Sequence, residues 1–405
     1  MISLFRAFKI KKKRMRTYIE KLNAANGRNN QHTQTKKILQ HLLQEGEKTI
    51  PEIKDFSGLS LPTTTRLINE LIEQGILIES GKRESSGGRP PSLFCLDSSL
   101  GYIVGIELLI NSFRLSIVNL NHELIYEYES DNFDINNRDE AYNFVARTVP
   151  DLISKKGIPD SKILGVGIGI TGRVDGKNGI SYSFLNFDTP LAKMLTERWG
   201  YSVFIDNDTR LMALGEQNFG FAREKLNVIY VNLSRGLGIG FISNGHLHSG
   251  ESGFAGEFGH IHFEDNDKLC VCGKRGCLET VVSGYALERQ FQDLDPLNLT
   301  KKLKYREIIQ LVHTSDQAVR GLLIEMGERL GQALSILVQT LNPGLIILGG
   351  RFTDVGELMK YPVIQGLSLY GLPQLVRDCE IKTSHLGDKT TMLGAYTLVM
   401  ENVFQ

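Results

Sequence analysis

The chain has 405 residues, of which 41% are hydrophobic and 23% charged, and its acidic and basic side chains are equal in number. This composition is typical of a globular protein, the length predicts two or three domains, and the longest apolar runs, such as 345–348, are too short to cross a membrane. The basic run 11–14 follows a short apolar patch, which is the reverse of the order in a secretory signal, so we predict a cytoplasmic location.

The charges are unevenly distributed along the chain. Residues 1–98 carry 17 Lys or Arg against 10 Asp or Glu, and the remainder carries 29 against 36. A basic head on an acidic body indicates that only the head meets a polyanion, although a charged tail that aids solubility is the alternative. Residues 1–32, with seven basic side chains before Glu20, are predicted to be a mobile basic arm, helical in part, that contacts phosphates or another protein.

Residues 33–98 have the pattern of a winged helix-turn-helix domain. Apolar residues recur at helical spacing, Gly and Ser stand at the expected helix ends, and a polar loop joins two short apolar strands. Three helices followed by a β-hairpin are typical of this DNA-binding fold. The predicted elements are helices that end at Gly46, over 51–56 and over 61–74, and strands over 76–79 and 92–96.

The third helix is the predicted recognition helix, because such helices enter the major groove of DNA by their first turn. Short hydroxyls contact phosphate or a thymine methyl, and an arginine reads guanine or enters a narrow minor groove from the tip of the wing, 85–91. Winged helices also serve as protein-docking or dimerisation modules, and that alternative stays open. The candidate DNA contacts are Thr63, Thr64, Thr65, Arg66 and, in the wing, Arg89.

After residue 98 the pattern changes to alternating strands and helices. A predicted meander of strands, a helix and a buried strand fill 102–170, and the same order of elements restarts near Val228. This repetition predicts a duplicated α/β fold with a cleft between two lobes. We predict lobe 1 over 99–222, with a C-terminal helix at 391–405 that returns to it, and lobe 2 over 223–390.

Three of the five cysteines are clustered in the second lobe. Cys270, Cys272 and Cys277 lie close in sequence, glycines between them let the chain fold back, and His260 is the natural fourth ligand. Three thiolates and an imidazole complete the tetrahedral shell of a structural zinc ion, one per chain. A group of reduced thiols without metal is the alternative.

The motif around this cluster resembles the ROK family, which joins repressors, open reading frames and sugar kinases. The resemblance rests on Glu257-x-Gly-His260 and the following Cys-x-Cys-Gly-x-x-Gly-Cys-x-Glu, and it continues more weakly from Ile103 to the C-terminus. The Gly-Arg-Pro wing is similar to that of the family's repressor branch, which includes xylose-, N-acetylglucosamine- and glucose-responsive regulators. The resemblance implies a two-lobed actin/hexokinase-like (ribonuclease H-like) body that forms a homodimer or tetramer.

The resemblance also implies a sugar site. Carboxylates and amides are the usual partners of vicinal hydroxyls, and each matched hydrogen bond adds discrimination. In the kinases of the family the acid matched by Asp208 is the general base; here we interpret it as a vestigial base that only binds. His260 would place one ring nitrogen on zinc and the other on sugar. The implied sugar-binding residues are Asn207, Asp208, Glu257, His260, Glu279, Asn186 and Gly172.

The loops that hold ATP phosphates in ROK kinases are degenerate here. The first normally reads Asp-x-Gly-Gly-Thr, but residues 107–111 are Glu-Leu-Leu-Ile-Asn, so that Leu109 and Ile110 would fill space that the phosphates need. The second keeps its glycines, but Leu237 replaces a phosphate-binding Thr. Without this backbone cradle, phosphoryl transfer loses its electrostatic stabilisation. We therefore predict that the protein is not an enzyme.

These observations together predict a sugar-responsive transcriptional repressor of carbohydrate-utilisation genes. A monosaccharide or sugar phosphate in the cleft between the lobes would bias lobe closure, change the spacing of two winged helices in a dimer, and weaken binding to operator DNA. Three alternatives stay open: an active ROK sugar kinase, a zinc-bearing regulator that uses its winged helix for protein contacts, and a regulator that activates or requires its ligand.

Overall fold

A computed structural model describes residues 15–24, 30–84, 90–264, 266–294, 303–311 and 317–404. The predicted wing-tip contact Arg89 and the basic residues before Met15 lie outside the described residues. The α-helices are α1 Met15–Ala24, α2 Asn30–Glu45, α3 Ile50–Ser57, α4 Leu61–Glu73, α5 Arg138–Lys155, α6 Leu191–Trp199, α7 Asp208–Phe219, α8 Gly284–Leu294, α9 Tyr305–Leu311, α10 Gln317–Leu341, α11 Glu357–Tyr370, α12 Pro373–Asp378 and α13 Lys389–Val403.

The β-strands follow the sequence prediction closely where the apolar pattern is strong. They are β1 Lys48–Thr49, β2 Leu77–Lys82, β3 Ser92–Leu96, β4 Tyr102–Leu109, β5 Ser112–Asn119, β6 Leu124–Ser130, β7 Ile163–Ile170, β8 Val174–Asp175, β9 Ile180–Ser181, β10 Val203–Asn207, β11 Val228–Leu233, β12 Leu237–Ser243, β13 His246–Leu247, β14 Leu345–Gly349 and β15 Glu380–Thr383.

The predicted winged helix is confirmed, with helices α2 to α4 and a three-stranded sheet in the order β1-β3-β2. Strand β1 was not predicted, because two residues are too short to show a period; it pairs with β3 through Lys48 and Phe94. Apolar side chains at helical spacing on α2 and α4, such as Ile38 and Ile68, are fully buried and form the core of this small domain.

Helix α1 agrees with the prediction that residues 1–32 are helical in part, but over 15–24 the chain is packed and not mobile. Its apolar face, Met15, Ile19 and Leu22, is almost completely buried. The side-chain amide of Asn23 donates to the carbonyl of Val403 at 2.9 Å, 380 residues later in the chain. This segment is therefore a packed helix held against the end of α13, and the polar composition that suggested mobility concealed three buried anchors.

Helix α3 begins with a capping box. The hydroxyl of Thr49 accepts from the backbone N–H of Glu52, and the Glu52 carboxylate accepts from the backbone N–H of Thr49 at 2.8 Å. The hydrogen bonds from Arg83 and Thr49 lower the pKa of Glu52 from 4.5 to about 2. A lowered folded-state pKa means that this contribution to stability is present above pH 4.5 and is lost as the pH falls through about 2.

We expect Thr49→Val to weaken helix α3, because valine keeps the shape of threonine but cannot accept the N-terminal hydrogen bond. Loss of an N-cap costs about 1 kcal/mol, or roughly a five-fold faster amide exchange in α3. Hydrogen exchange of the full chain measures this, with Thr49→Ser as the control that retains the hydroxyl. Equal protection of α3 in both variants would contradict the role of the cap.

The body contains two five-stranded mixed sheets with the same connectivity. Their orders are β10-β7-β4-β5-β6 and β13-β12-β11-β14-β15. In each, the first strand is antiparallel to the second and parallel to the fourth, as β4 is to β5 and β7, and as β11 is to β12 and β14. The predicted duplicated α/β fold is confirmed.

Contacts divide the chain into two compact units. Unit 1 contains the described residues up to Ile170, Asn178–Ile205 and those from Ala395 onward; unit 2 contains Thr171–Lys177 and Asp206–Gly394. The division falls at Asp206 rather than near residue 222, because α7 packs on β11 and β12 of unit 2. None of the described helices is both long and apolar enough to cross a membrane.

Candidate functional site

The first turn of α4 carries the predicted DNA contacts. Ser60 caps the helix: its hydroxyl lies 2.8 Å from that of Thr63 and accepts from the Thr63 backbone N–H. Thr63 and Thr65 are partly exposed, and the Arg66 side chain is 57% exposed while it contacts the Glu70 carboxylate at 3.0 Å. A partly exposed hydroxyl pair and one exposed guanidinium thus share the start of the helix.

The structure does not support Thr64 as one of the predicted DNA contacts. Its side chain is fully buried, and its hydroxyl donates to the carbonyl of Ser60 at 3.1 Å. A buried hydroxyl that is already bonded within its own helix has no surface to offer to DNA, so we withdraw Thr64 from the candidate contacts. Its role is to pack the first turn against the domain core.

The predicted metal ligands come together in unit 2. One donor atom from each of His260, Cys270, Cys272 and Cys277 lies within 4.8 Å of the other three. The sulfurs of Cys272 and Cys277 are 3.6 Å apart, and the Cys270 sulfur is 3.5 Å from His260 Nδ1. Three thiols and an imidazole at these separations could hold a metal ion.

The local sequence explains why the cluster forms. Gly273 and Gly276 adopt φ values of 86° and 75°, which residues other than glycine rarely adopt. The turns at these two glycines fold the segment back on itself. An isolated antiparallel β-bridge pairs the backbones of His262 and Cys277, and it holds the third thiol beside the first two. Burial raises the pKa of the Cys270 thiol, so this ligand must lose its proton when a metal binds.

His260 presents its two ring nitrogens to different neighbours. Nδ1 faces Cys270 and lies 3.7 Å from Glu279 Oε1, while Nε2 lies 3.7 Å from Glu257 Oε2. The short helical turn Phe258–His260 creates this arrangement, because it places Glu257 and His260 three residues apart on one side. One nitrogen is therefore directed at the thiols and the other at a carboxylate that is 41% exposed.

Asn207 and Asp208 stand at the start of α7. The Asn207 side-chain oxygen accepts from the backbone N–H of Arg210, which caps the helix, and its amide donates to the carbonyl of Gly172 at 2.9 Å. Asp208 is 7% exposed, and one of its oxygens accepts from the Thr209 N–H at 2.8 Å. The structure thus brings Gly172 and Asn207 into contact, as the prediction of a shared site requires.

The candidate sugar ligands of unit 2 form two groups, one with Gly172, Asn207 and Asp208 and one with Glu257, His260 and Glu279. Both groups lie beside the start of β12. Gly238 faces the Thr209 side chain beside Asp208, and Gly236 faces a Glu279 oxygen. Asn186 is different: it lies in unit 1, it is exposed, and its carbonyl accepts from Arg138 at 3.3 Å. The six residues of unit 2 therefore form two groups beside a single strand.

Residues 103–402 match the ROK family. The chain belongs to the ROK family. Residues 32–78 separately match a winged helix-turn-helix DNA-binding family, over the same helices that form the N-terminal domain. Together these two matches cover both of the predicted parts of the chain.

Relatives with and without the N-terminal domain are similar to this ROK protein. The xylose repressor of Bacillus spizizenii is 29% identical over 369 residues, which cover 91% of this chain and 94% of that protein. The glucokinase of Thermotoga maritima is 28% identical over 316 residues, covering 74% of this chain and 98% of the kinase. A crystal structure of a ROK family transcriptional regulator, a homolog of the E. coli MLC protein, matches with a TM-score of 0.76 and 23% identity over 93% of this chain and 97% of its own.

The two segments compared above with the phosphate loops of ROK kinases have closely packed side chains. In the first, β4 and β5 are joined by only two residues, 110 and 111, and Arg114 lies 3.6 Å from the Glu107 carboxylate. In the second, Leu237 is buried, and a Cβ at Gly240 would collide with Ala213 of α7. A Cβ at Gly238 would lie 2.9 Å from the Thr209 hydroxyl, so Gly238 and Gly240 both permit the close packing of α7 against β12.

Sequence reasoning missed Arg210, the most connected side chain near the predicted site. It is 3% exposed, contacts the Asp206 carboxylate, and donates to the carbonyls of Val174 and Gly253. The signal was present as an Asp and an Arg four residues apart at the start of a helix, but such pairs are usually on the surface.

Proposed function

We propose that this ROK protein is a DNA-binding transcriptional repressor that releases its operator when a monosaccharide or sugar phosphate binds to its body. The observation that carries the proposal is the extent of the similarity. The match to a xylose repressor runs through the winged helix and the body, whereas the match to a glucokinase is confined to 74% of the chain.

We infer that the cluster of His260 and three cysteines holds one structural zinc ion. The donor set supports this, because soft thiolates and imidazole are the preferred ligands of Zn²⁺ and four protein ligands leave no open position. A bound ion would fix the loop 269–277 and orient the His260 ring. It would supply no reaction chemistry in a closed shell.

The sugar would bind to side chains on both sides of the start of β12. Asp208, Glu257 and Glu279 supply carboxylate acceptors, Asn207 and Gly172 form the adjoining wall, and His260 supplies its Nε2 atom. Asn186 lies in unit 1 and stays a prediction from the family resemblance. Acceptors of this kind select hydroxyl-rich ligands because an unmatched buried carboxylate is costly.

We infer that the protein does not phosphorylate its sugar. The first phosphate loop is a two-residue hairpin turn without glycine, and its acid is already paired with Arg114. With no cradle of backbone N–H groups, the transferred phosphoryl group would lack its main stabilisation. Asp208 then serves as a ligand of the sugar rather than as a base.

A mobility-shift assay at fixed salt tests the proposal. The probes are duplexes from the promoter of the protein's own gene and of neighbouring genes, with D-xylose, D-glucose and N-acetylglucosamine added in turn. We expect the protein to shift at least one duplex, and one of the three sugars to dissociate that protein–DNA complex. We also expect no turnover of ATP in a coupled assay. Sugar-dependent ATP consumption would favour the kinase, and failure to bind any duplex would favour a protein-docking role.

We expect Arg66→Ala to weaken operator binding by about 1–3 kcal/mol, or roughly 5- to 150-fold, since the exposed guanidinium is placed to read a base. Glu70→Gln is the matched control, because it removes the ion-pair partner and leaves the guanidinium. Titration of the shifted duplex at one salt concentration measures both. If Glu70→Gln is as damaging as Arg66→Ala, Arg66 supports the helix and does not contact DNA.

A further inference from the structure

Arg210 is a buried cation that joins three separate segments of unit 2. Its Nε and one terminal nitrogen contact the Asp206 carboxylate, with Nε at 2.8 Å. The same terminal nitrogen donates to the Val174 carbonyl at 2.6 Å, and the other terminal nitrogen donates to the Gly253 carbonyl. Its backbone N–H donates to Asn207, so the residue is bonded through both its main chain and its side chain.

The two carbonyls belong to segments that carry candidate sugar ligands: the Gly172 loop, which leads into β8, and the Glu257 loop, which contains Gly253. Val174 is two residues beyond Gly172, and Gly253 is four residues before Glu257. The loops touch each other, because a Cβ at Gly253 would lie 2.8 Å from the Val174 oxygen. A single guanidinium thus fixes both loops to the first turn of α7, which carries Asp208.

An arginine in this place is poorly explained by stability alone. Removing a guanidinium from water is expensive, and apolar replacements of buried ion pairs are often as stable or more so. The planar guanidinium makes directional hydrogen bonds. It bonds carbonyls from two chain segments at fixed angles, which an apolar side chain cannot do. Such a group is suited to hold ligand-binding loops at a defined separation.

We propose that Arg210 is a positioning residue that sets the placement of the Gly172 and Glu257 loops around the sugar. The proposal rests on the sugar site of the proposed function. Arg210 is 3% exposed and acts through the hydrogen bonds that it donates to the two loops, so its loss changes affinity for the sugar without removing a ligand group. Lysine at this position offers one compact ammonium and could bond the two loops only in part.

The test uses the full-length protein and its Arg210→Met and Arg210→Lys variants. Hydrogen exchange reports the two loops directly, and calorimetric titration with D-xylose, D-glucose and N-acetylglucosamine reports affinity. For Arg210→Met we expect at least roughly ten-fold faster exchange in both loops together and at least roughly ten-fold weaker sugar binding. Arg210→Lys should recover part of both effects.

Ser384→Ala is the matched control, since it removes a buried hydrogen bond to Glu216 at the other end of α7. It should lower stability and leave both loops and the sugar affinity unchanged. Wild-type exchange of the loops in Arg210→Met, or equal loosening in Ser384→Ala, would overturn the proposal. If wild-type protein binds none of the three sugars, the proposed function fails, and loop exchange still decides whether Arg210 holds the loops.

Discussion

Protein purified with Cys277→Ser should contain no zinc and should unfold at a much lower temperature than the wild type, which should contain one zinc ion per chain. Cys277 is 1% exposed and its sulfur lies 3.6 Å from that of Cys272, so its loss removes one ligand from the centre of the cluster. Structural zinc contributes several kcal/mol to folding, and each kcal/mol moves Tm by about 2–4 °C in a domain of 150–250 residues, so we expect a drop on the order of 10–20 °C.

The control for this experiment is Cys379→Ala, which removes another buried thiol of unit 2 that lies outside the cluster. Metal content by mass spectrometry and Tm by calorimetry should both stay close to wild type. Full zinc occupancy in Cys277→Ser, or a wild-type protein free of metal after purification without chelators, would refute the zinc assignment and leave a cluster of reduced thiols.

Asp208→Asn should produce a repressor that binds its operator normally but no longer responds to sugar. The buried carboxylate is the acceptor that we propose for the sugar hydroxyls, and hydrogen bonds to a charged group contribute about 1.5–3 kcal/mol, so sugar affinity should fall roughly 10- to 100-fold. Asparagine keeps an oxygen for the Thr209 N–H, so the start of α7 should remain intact.

The mobility shift measures both properties in one titration, first without sugar and then with the sugar that dissolves the wild-type complex. Glu251→Gln is a suitable control, because it neutralises an exposed acid in the loop before Glu257 and outside the proposed ligand set. An Asp208→Asn protein that releases DNA at the wild-type sugar concentration would exclude Asp208 from the site. Loss of DNA binding without sugar would indicate damage to the fold.

The periodic parts of the fold were predictable because buried positions in strands and helices recur as apolar residues at a regular spacing in the sequence. Strands β4, β7, β11 and β14 are predominantly apolar, and they lie where the sequence predicts the meander, the buried strand over 102–170 and the restart near Val228. The cluster of His260 and three cysteines was predictable for a different reason: thiols and glycines at this close spacing are typical of a turn that brings metal ligands together. In both cases the signal is local.

Features that depend on contacts between distant residues were harder to predict. Thr64 and Thr63 are the same residue type in the same helical turn, and only the direction of the domain core separates a buried hydroxyl from an exposed one. Helix α1 is polar in composition, and its packing needs a partner 380 residues away. Arg210 donates to carbonyls that are 36 and 43 residues away in the sequence. No short sequence motif predicts contacts over that distance.

The bond between Asn23 and Val403 has a consequence for synthesis in the cell. Helices α2 to α4 form a small unit near the N-terminus, and such units fold as they leave the ribosome. The partner of α1 is synthesised 380 residues later, tens of seconds afterwards at roughly 5–20 residues per second. A nascent chain therefore exposes a folded DNA-reading surface while the α1 helix that precedes it is still without its final anchor.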